Sequence, residues 1–224
     1  AVSAGLSPFI EGELDIRIVS TVGTTGSQPQ LSETVIIFIT PFTTDLPTIA
    51  VPGNHQGWDP ASAQLLASSA FGQTDYEGWV WLDGEFKFLA PNETGGFFWG
   101  NTDWGDDGTS SGILIDEDGE ANANAETASY YLVKADTDAL TYSTAAVSWG
   151  IIGAATPTGW DSDTDLVYDA GTRTLSVDID LVAGGWKFRG NNEWGAYEYG
   201  SLNADGYLQA GGDFTFDGPS GNYH

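Results

Sequence analysis

Trp186-Lys187-Phe188-Arg189-Gly190-Asn191-Asn192-Glu193-Trp194-Gly195 is the second appearance of one pattern. One hundred residues before Lys187 stands Phe86-Lys87-Phe88, followed by Gly100-Asn101-Thr102-Asp103-Trp104-Gly105. Upstream of each lies a block ending in Gly-Trp-Asp: Gly53-Asn54-His55-Gln56-Gly57-Trp58-Asp59 and Ala155-Thr156-Pro157-Thr158-Gly159-Trp160-Asp161. Three blocks in one order, repeated at domain spacing, indicate tandem modules. Neighbours along a strand point to opposite faces. Phe86 and Phe88 therefore share a buried face, as do Trp186 and Phe188, while Lys87, Lys187 and Arg189 take the other. The remaining apolar runs are short and broken by Gly, Asp, Asn and Thr. With 30 glycines and 13% aromatics, this predicts an all-β protein built of tandem β-sandwich modules.

The repeat also sets the organisation. Residues 1–45 lie outside it. Glu13 to Val19 alternates as a half-buried strand does, and Leu31 to Pro41 reads as a second strand after the polar loop 22–30. Two strands cannot bury both faces, so residues 1–45 read as the end of an immunoglobulin-like sandwich plus a linker. The first module is expected at 46–145. In it, Asp59 caps a short helix beginning at Pro60. Tyr76–Leu82 and Glu85–Ala90 form strands joined at Asp83-Gly84. Residues 116–126 form an acidic turn, and Ser129–Lys134 with Ala139–Ser143 make a closing hairpin. Leu89 to Trp99 stand where the second copy has Arg189 alone, an insertion of the kind that alters binding. The second module is expected at 146–224. Asn222-Tyr223 aligns with Tyr130-Tyr131, so this copy lacks its last one or two strands as written.

Net charge is −26, with 32 acids against six bases. Nucleic acids, anionic lipid surfaces and polyanionic glycans require a basic footprint and are excluded as partners. The chain has no cysteine, which removes disulfides, thiolate zinc sites and thiol catalysis. No run reaches transmembrane length and no signal peptide is visible. With no Met and an Ala1-Val2-Ser3 start, any export signal or lipid anchor would lie outside this sequence.

Three of the six bases sit in the repeated strand: Lys87, Lys187 and Arg189. Aromatic rings offer flat faces to the C–H face of a pyranose. Lys, Arg, Asn and the acids supply donors and acceptors for its hydroxyls. Lys187, Arg189, Asn191, Asn192, Trp194 and Tyr199 therefore form one candidate sugar site, and Lys87, Trp99, Asn101 and Trp104, with Trp81, another. Trp104 and Trp194, in polar Gly/Asn surroundings, read as ligand contacts. Trp58, Trp160 and Trp149 read as core. Trp79 and Trp81 share one strand face opposite Val80 and Leu82, and either face would be the core. Lys87 and Lys187 fit equally well as solvated residues paired with acids. His55 reads as structural. Asp103, Asp106, Asp107, Asp116 and Asp118 lack EF-hand spacing and read as solvated turns. No cofactor is called for, calcium at these turns being the one ion the donors would suit. No nucleophile elbow, zinc motif or phosphate loop is present, and no carboxylate pair stands out. The chain reads as a non-enzyme.

These blocks resemble the SusE/SusF family of surface starch-binding outer-membrane lipoproteins. The resemblance runs through Val51-Pro52-Gly53-Asn54-His55-Gln56-Gly57-Trp58-Asp59-Pro60, Tyr76-Glu77-Gly78-Trp79, Phe86-Lys87-Phe88, and Gly185-Trp186-Lys187-Phe188-Arg189 with Asn191, Asn192 and Trp194. Val35 to Phe42 is similar to the strand that closes the family's immunoglobulin-like domain. The resemblance implies an immunoglobulin-like spacer followed by starch-binding sandwiches. It implies glycan binding without cleavage on the outer face of the outer membrane, beside a SusC/SusD-type importer. The expected ligand is a neutral oligo- or polysaccharide, an α-glucan first. The alternatives are a spacer or assembly subunit, in which Trp104 and Trp194 are buried, and the accessory modules of a glycoside hydrolase.

Overall fold

The computed structural model describes residues 6, 11–21, 29–40, 45–116, 119–204 and 206–224. They are almost entirely β, as the turn-rich sequence predicts. The chain forms two compact units, Ala1–Leu46 and Pro47–His224.

In the first unit, β1 (Gly12–Ile16) pairs antiparallel with β4 (Val35–Ile39), and β2 (Val19–Thr21) with β3 (Pro29–Leu31). The two expected long strands are thus four short ones. The chain breaks after Ile16, and the Ile18 amide turns to the Ser32 hydroxyl. Residues 22–28, most of the expected polar loop, and the linker residues 41–44 lie outside the described residues.

The second unit begins with β5 (Thr48–Val51), β6 (Gln64–Ser68), β7 (Asp75–Phe86), β8 (Phe88–Leu89), β9 (Asp103–Asp106), β10 (Leu114–Ile115), β11 (Ala123–Asp136) and β12 (Thr141–Val147). They form one sheet in the order β10-β9-β8-β5-β6-β7-β11-β12. Its ends meet, because the Leu114 amide donates to Leu140 O and the Tyr142 amide to Gly112 O. Inside this nearly closed sheet Val80, Leu82, Phe86 and Phe88 are fully buried. That settles the face of β7: Val80 and Leu82 are core, while Trp79 and Trp81 point outward.

Three local expectations change. The helix after Asp59 is a single 3-10 turn, Pro60–Ser62, with the Asp59 carboxylate accepting from the Ala61 amide. The chain then enters β6, because pairing with β5 and β7 outweighs one turn of helix. Asp83-Gly84 makes no hairpin: β7 runs through it to Phe86, with Gly84 at φ 79° absorbing the bend. The acidic segment is not one turn, since β11 starts at Ala123. The closing hairpin is present, with Asp136 opposite Thr141.

The second repeat contributes β13 (Trp149–Ile152), β14 (Thr164–Asp165), β15 (Val167–Asp169), β16 (Thr174–Ser176), β17 (Ile179–Leu181), β18 (Gly184–Gly190), β19 (Glu198–Leu202), β20 (Leu208–Ala210), β21 (Phe214–Phe216) and β22 (Gly221–Tyr223). The order β14-β13-β18-β19-β20 forms its main sheet, and β21 pairs with β18. Its register repeats the first copy. Tyr223 faces Ile179 as Tyr131 faces Val80, and each tyrosine hydroxyl donates to a carbonyl four residues back, Pro219 O and Thr127 O. In the first copy Tyr142 of β12 packs on Phe86 and Phe88. Their equivalents Trp186 and Phe188 line a cleft of about 320 Å³ with Ile151, Ile179 and Tyr223.

The repeats pack against each other through aromatics. Trp81 stacks on Tyr168 at 4.0 Å and 10°, and Trp79 meets Trp149 and Tyr197 edge-on. Arg173 donates to Ser62 O. Trp149, expected in a core, is half-buried in this clasp.

Candidate binding site: two tryptophan pairs

Each Gly-Trp-Asp block folds into a turn held against the aromatic strand. Gly53 lies so close to Phe86 that a Cβ would sit 2.5 Å from Glu85 O and 2.8 Å from Phe86 Cβ. Gly153 meets Gly185 O and Trp186 in the same way. This approach explains Gly53 at the head of the first block and Gly153, two residues before the second. After Gly53, residues Asn54–Gln56 make a 3-10 turn, Gly57 takes φ 76°, and the Trp58 amide returns to Gly53 O at 2.9 Å. The polar residues of the block build this turn. Asn54 Oδ1 accepts the Trp58 indole N–H at 2.7 Å, and Gln56 bonds both the Asp59 carbonyl and its amide. His55 Nε2 faces Gln64 Oε1 at 3.1 Å, and burial holds its pKa below the ordinary value. In the second copy the Thr156 hydroxyl does the bracing, donating to Gly153 O.

The turns keep their tryptophans out of a core: Trp58 is half-buried and Trp160 exposed. Trp160, 39% exposed, meets Trp194, 54% exposed, at a centroid separation of 6.1 Å and 38° between planes. Trp58 meets Trp99, 47% exposed, at 6.1 Å and 40°. The two repeats thus present the same tilted ring pair.

The partner of Trp194 in the first copy is therefore Trp99. Trp104 is 9% exposed and packed in the core, and its buried indole N–H has no partner among the described residues. The register gives the reason. Trp104 lies opposite Phe88, and the residue opposite Phe188 is Tyr199. Leu89 faces Asp103 as Arg189 faces Glu198. The two Gly-Asn-x-acid-Trp-Gly runs are thus not structural equivalents. The loops that differ are 90–102 and 190–197, and the longer one carries Trp99 forward.

Asn101 braces that longer loop, its amide donating to Ala90 O at 2.8 Å and Gly96 O at 3.0 Å. In the shorter loop Asn191 and Asn192 take φ of 57° and 54°. Asparagine tolerates this left-handed backbone, and a paired Asn is a sequence signal for such a turn. Asn191 Oδ1 also accepts from the Ser148 amide. Asn192 is exposed. Tyr199 is half-buried beside Trp149, and burial raises its pKa.

Both repeated lysines are enclosed by two acids. Lys87 bonds Asp103 at 2.9 Å and Glu120. Lys187 lies 3.1 Å from Asp213 and 3.7 Å from Glu198. Burial alone would lower the Lys87 pKa, but the bonds to Glu120 and Asp103 hold it above the ordinary value. The bond from Lys87 holds Glu120 below the ordinary carboxylate value. Lys187 Nζ also sits 5.9 Å from the Trp160 ring centre and 5.7 Å from that of Trp194, within cation–π range of both. Arg189 is buried, paired through Nε with Asp163 at 3.0 and 3.1 Å, and its guanidinium lies 4.4 Å over Trp194.

Trp81 is not free to stack on a ligand, since Tyr168 covers it. Asp103 is engaged with Lys87, and Asp106 accepts from Gly108, Ser110 and the Tyr142 hydroxyl. No group of three or more acids or histidines among the described residues is arranged to hold a metal ion; Asp118 is outside them. Sequence reasoning missed Glu120, Asp163, Glu198 and Asp213. Of these, Glu198 follows once the register of Arg189 is known, and the other three have no sequence signal.

No protein-family model matches this chain, and no curated protein matches it. Among solved structures it is similar to the crystal structure of SusF from Bacteroides thetaiotaomicron, with 18% identity, a TM-score of 0.38 and 96% of this chain covered. The alignment takes in 55% of that structure, so this chain spans about half its length.

Proposed function

We propose that the Pro47–His224 unit binds a neutral polysaccharide, without cleaving it, at two sites centred on Trp58/Trp99 and Trp160/Trp194. The observation that carries this reading is the recurrence of the ring pair, with the same separation and tilt, made in each copy from different loop positions. Two rings about 40° from coplanar, Trp99 exposed and Trp58 half-buried, offer a bent apolar surface. Such a surface suits a glycan whose successive sugars turn relative to one another, as in an α-glucan, better than a flat ribbon. In the second site Lys187, beside both rings, and its carboxylates Glu198 and Asp213 lie at hand for ring-edge hydroxyls. In this reading Asn101 and Asn191 shape the loops, and Trp104 and Trp81 serve the core and the clasp. Two weak sites on one unit gain avidity on a polymer. A place on the cell surface, a lipid anchor outside this sequence and a SusC/SusD-type importer as partner are further parts of the proposal. They rest on the resemblance to SusE/SusF proteins.

The test is migration in native gels containing amylopectin, with dextran, laminarin and xylan alongside, for wild type, Trp194→Ala, Trp99→Ala and the double variant. Retardation by amylopectin, reduced by each substitution and lost in the double variant, is the expected result. Equal migration of all four proteins in every gel would sink the reading. It would favour the spacer alternative, which the burial of Trp104 suits and the exposure of Trp194 does not.

A further inference from the structure

The geometry points to Asp163 as the residue that positions the second stacking face, acting through Arg189 on Trp194. This deepens the reading above and rests on it for the identity of the ligand.

Asp163 has a fully buried side chain, and that of Arg189 is 5% exposed. A buried ion pair is costly to desolvate and is weak evidence for stability, so its retention calls for another explanation. Arg189 Nε is spent on both Asp163 oxygens. That bond fixes the guanidinium plane, which lies over one face of Trp194. Trp194 is more than half exposed even with Trp160 and Lys187 beside it, which leaves ring surface for a ligand. A planar cation backing one face holds the ring for a sugar on its exposed surface. Arg189 is thereby removed from direct hydroxyl contact and becomes the support of the ring.

The first repeat supplies an internal control. Arg189 and Leu89 lie opposite Gly150 and Ala50, the same position of the two copies. Thr164 pairs with Ile151 as Gln64 pairs with Val51, which makes Ala63 the counterpart of Asp163. The charged pair Asp163/Arg189 is thus Ala63/Leu89 in the first copy. There Trp99 is fixed differently, its indole N–H donating to the Trp58 carbonyl at 3.0 Å. The ion pair is present only in the copy whose exposed tryptophan lacks that tether to its neighbour.

The test uses the whole chain labelled with 5-fluorotryptophan, with the Trp194 ¹⁹F resonance assigned from Trp194→Phe. Asp163→Asn, Arg189→Lys and the double variant Asp163→Ala/Arg189→Leu are compared with wild type. The double variant gives the second repeat the residues of the first, so no buried charge is orphaned. The expected result is a shifted, narrowed Trp194 resonance in the double variant and in Arg189→Lys, with melting close to wild type. In a Trp99→Ala background, amylopectin affinity should fall by roughly three- to tenfold, the size of one ring–cation contact. An unchanged Trp194 resonance in a folded double variant would overturn the assignment, as would loss of folding in both it and Arg189→Lys. If wild type binds no glycan, the proposed function fails, and the ¹⁹F result alone decides the role of Asp163.

Discussion

Trp99 donates its indole N–H to the backbone carbonyl of Trp58, tying a loop tip to a turn 41 residues earlier. The bond pairs the two rings of the first repeat without help from Trp104. Substitutions at the two tryptophans should therefore separate binding from stability. Trp99→Ala should cost about 0.5–1.5 kcal/mol, the loss of that one hydrogen bond, while removing first-site retardation. Trp104→Ala should cost about 3–5 kcal/mol by opening the core. Trp104→Phe should cost far less than Trp104→Ala, because it also deletes a buried N–H with no partner. Urea denaturation of the three variants checks the ranking.

The clasp between the repeats should be measurable as a coupling. Trp81 and Tyr168 stack nearly parallel, and such pairs contribute about 0.5–1.5 kcal/mol beyond their area. A double-mutant cycle with Trp81→Ala and Tyr168→Ala should return a coupling in that range. Additive losses would show that the two rings are merely neighbours.

Much of this architecture was legible in the chain, and the failures share a cause. The repeat, the buried face of Phe86 and Phe88, the cap at Asp59 and the alignment of Tyr223 with Tyr131 all follow from local pattern. The pairing of Trp104 with Trp194 did not hold, because a shared motif is not a shared register. Only the strand partners of Phe88 and Phe188 show that Trp104 corresponds to Tyr199. The local pattern from Pro60 to Leu66 reads as a short helix, but pairing on both sides makes Gln64 to Ser68 a strand. Asp163 and Asp213 were two acids among 32. What distinguishes them is burial or a partner distant in sequence, which no short window contains.

The Lys87 cluster predicts acid sensitivity. The bond from Lys87 holds the folded-state pKa of Glu120 below the ordinary glutamate value of 4.5. A depressed carboxylate stabilises the fold above its unfolded pKa, and that stability is lost as pH falls through the folded value. Glu120→Gln should thus lose about 1–2 kcal/mol at neutral pH. Its stability should then fall less steeply than that of wild type below pH 4.5. Thermal melting from pH 7 to pH 3 measures both limbs, and parallel acid limbs would show that Glu120 is not responsible. The Lys87 side of the cluster acts oppositely. Its pKa is raised, so its contribution is complete below the unfolded lysine value and is lost only as pH rises through the folded one.

The glycines that touch the aromatic strand, Gly53 at the head of the first block and Gly153 two residues before the second, should be the least replaceable residues of their sites. An added Cβ at Gly53 would meet backbone, Glu85 O at 2.5 Å, and at Gly153 it would meet Gly185 O and Trp186 Cα. Backbone cannot swing aside as a side chain can, so Gly53→Ala and Gly153→Ala should each cost about 1–3 kcal/mol through overpacking. The turn must then move outward and carry Trp58 or Trp160 away from its partner ring. Each substitution should therefore weaken its own site even at temperatures where the protein remains folded. Gly57→Ala is the contrast: a Cβ there meets nothing within 4 Å, but φ is 76°. It should cost about 1–2 kcal/mol from left-handed backbone alone. Binding that survives Gly53→Ala unchanged in folded protein would show that the close approach to Phe86 does not set the ring geometry.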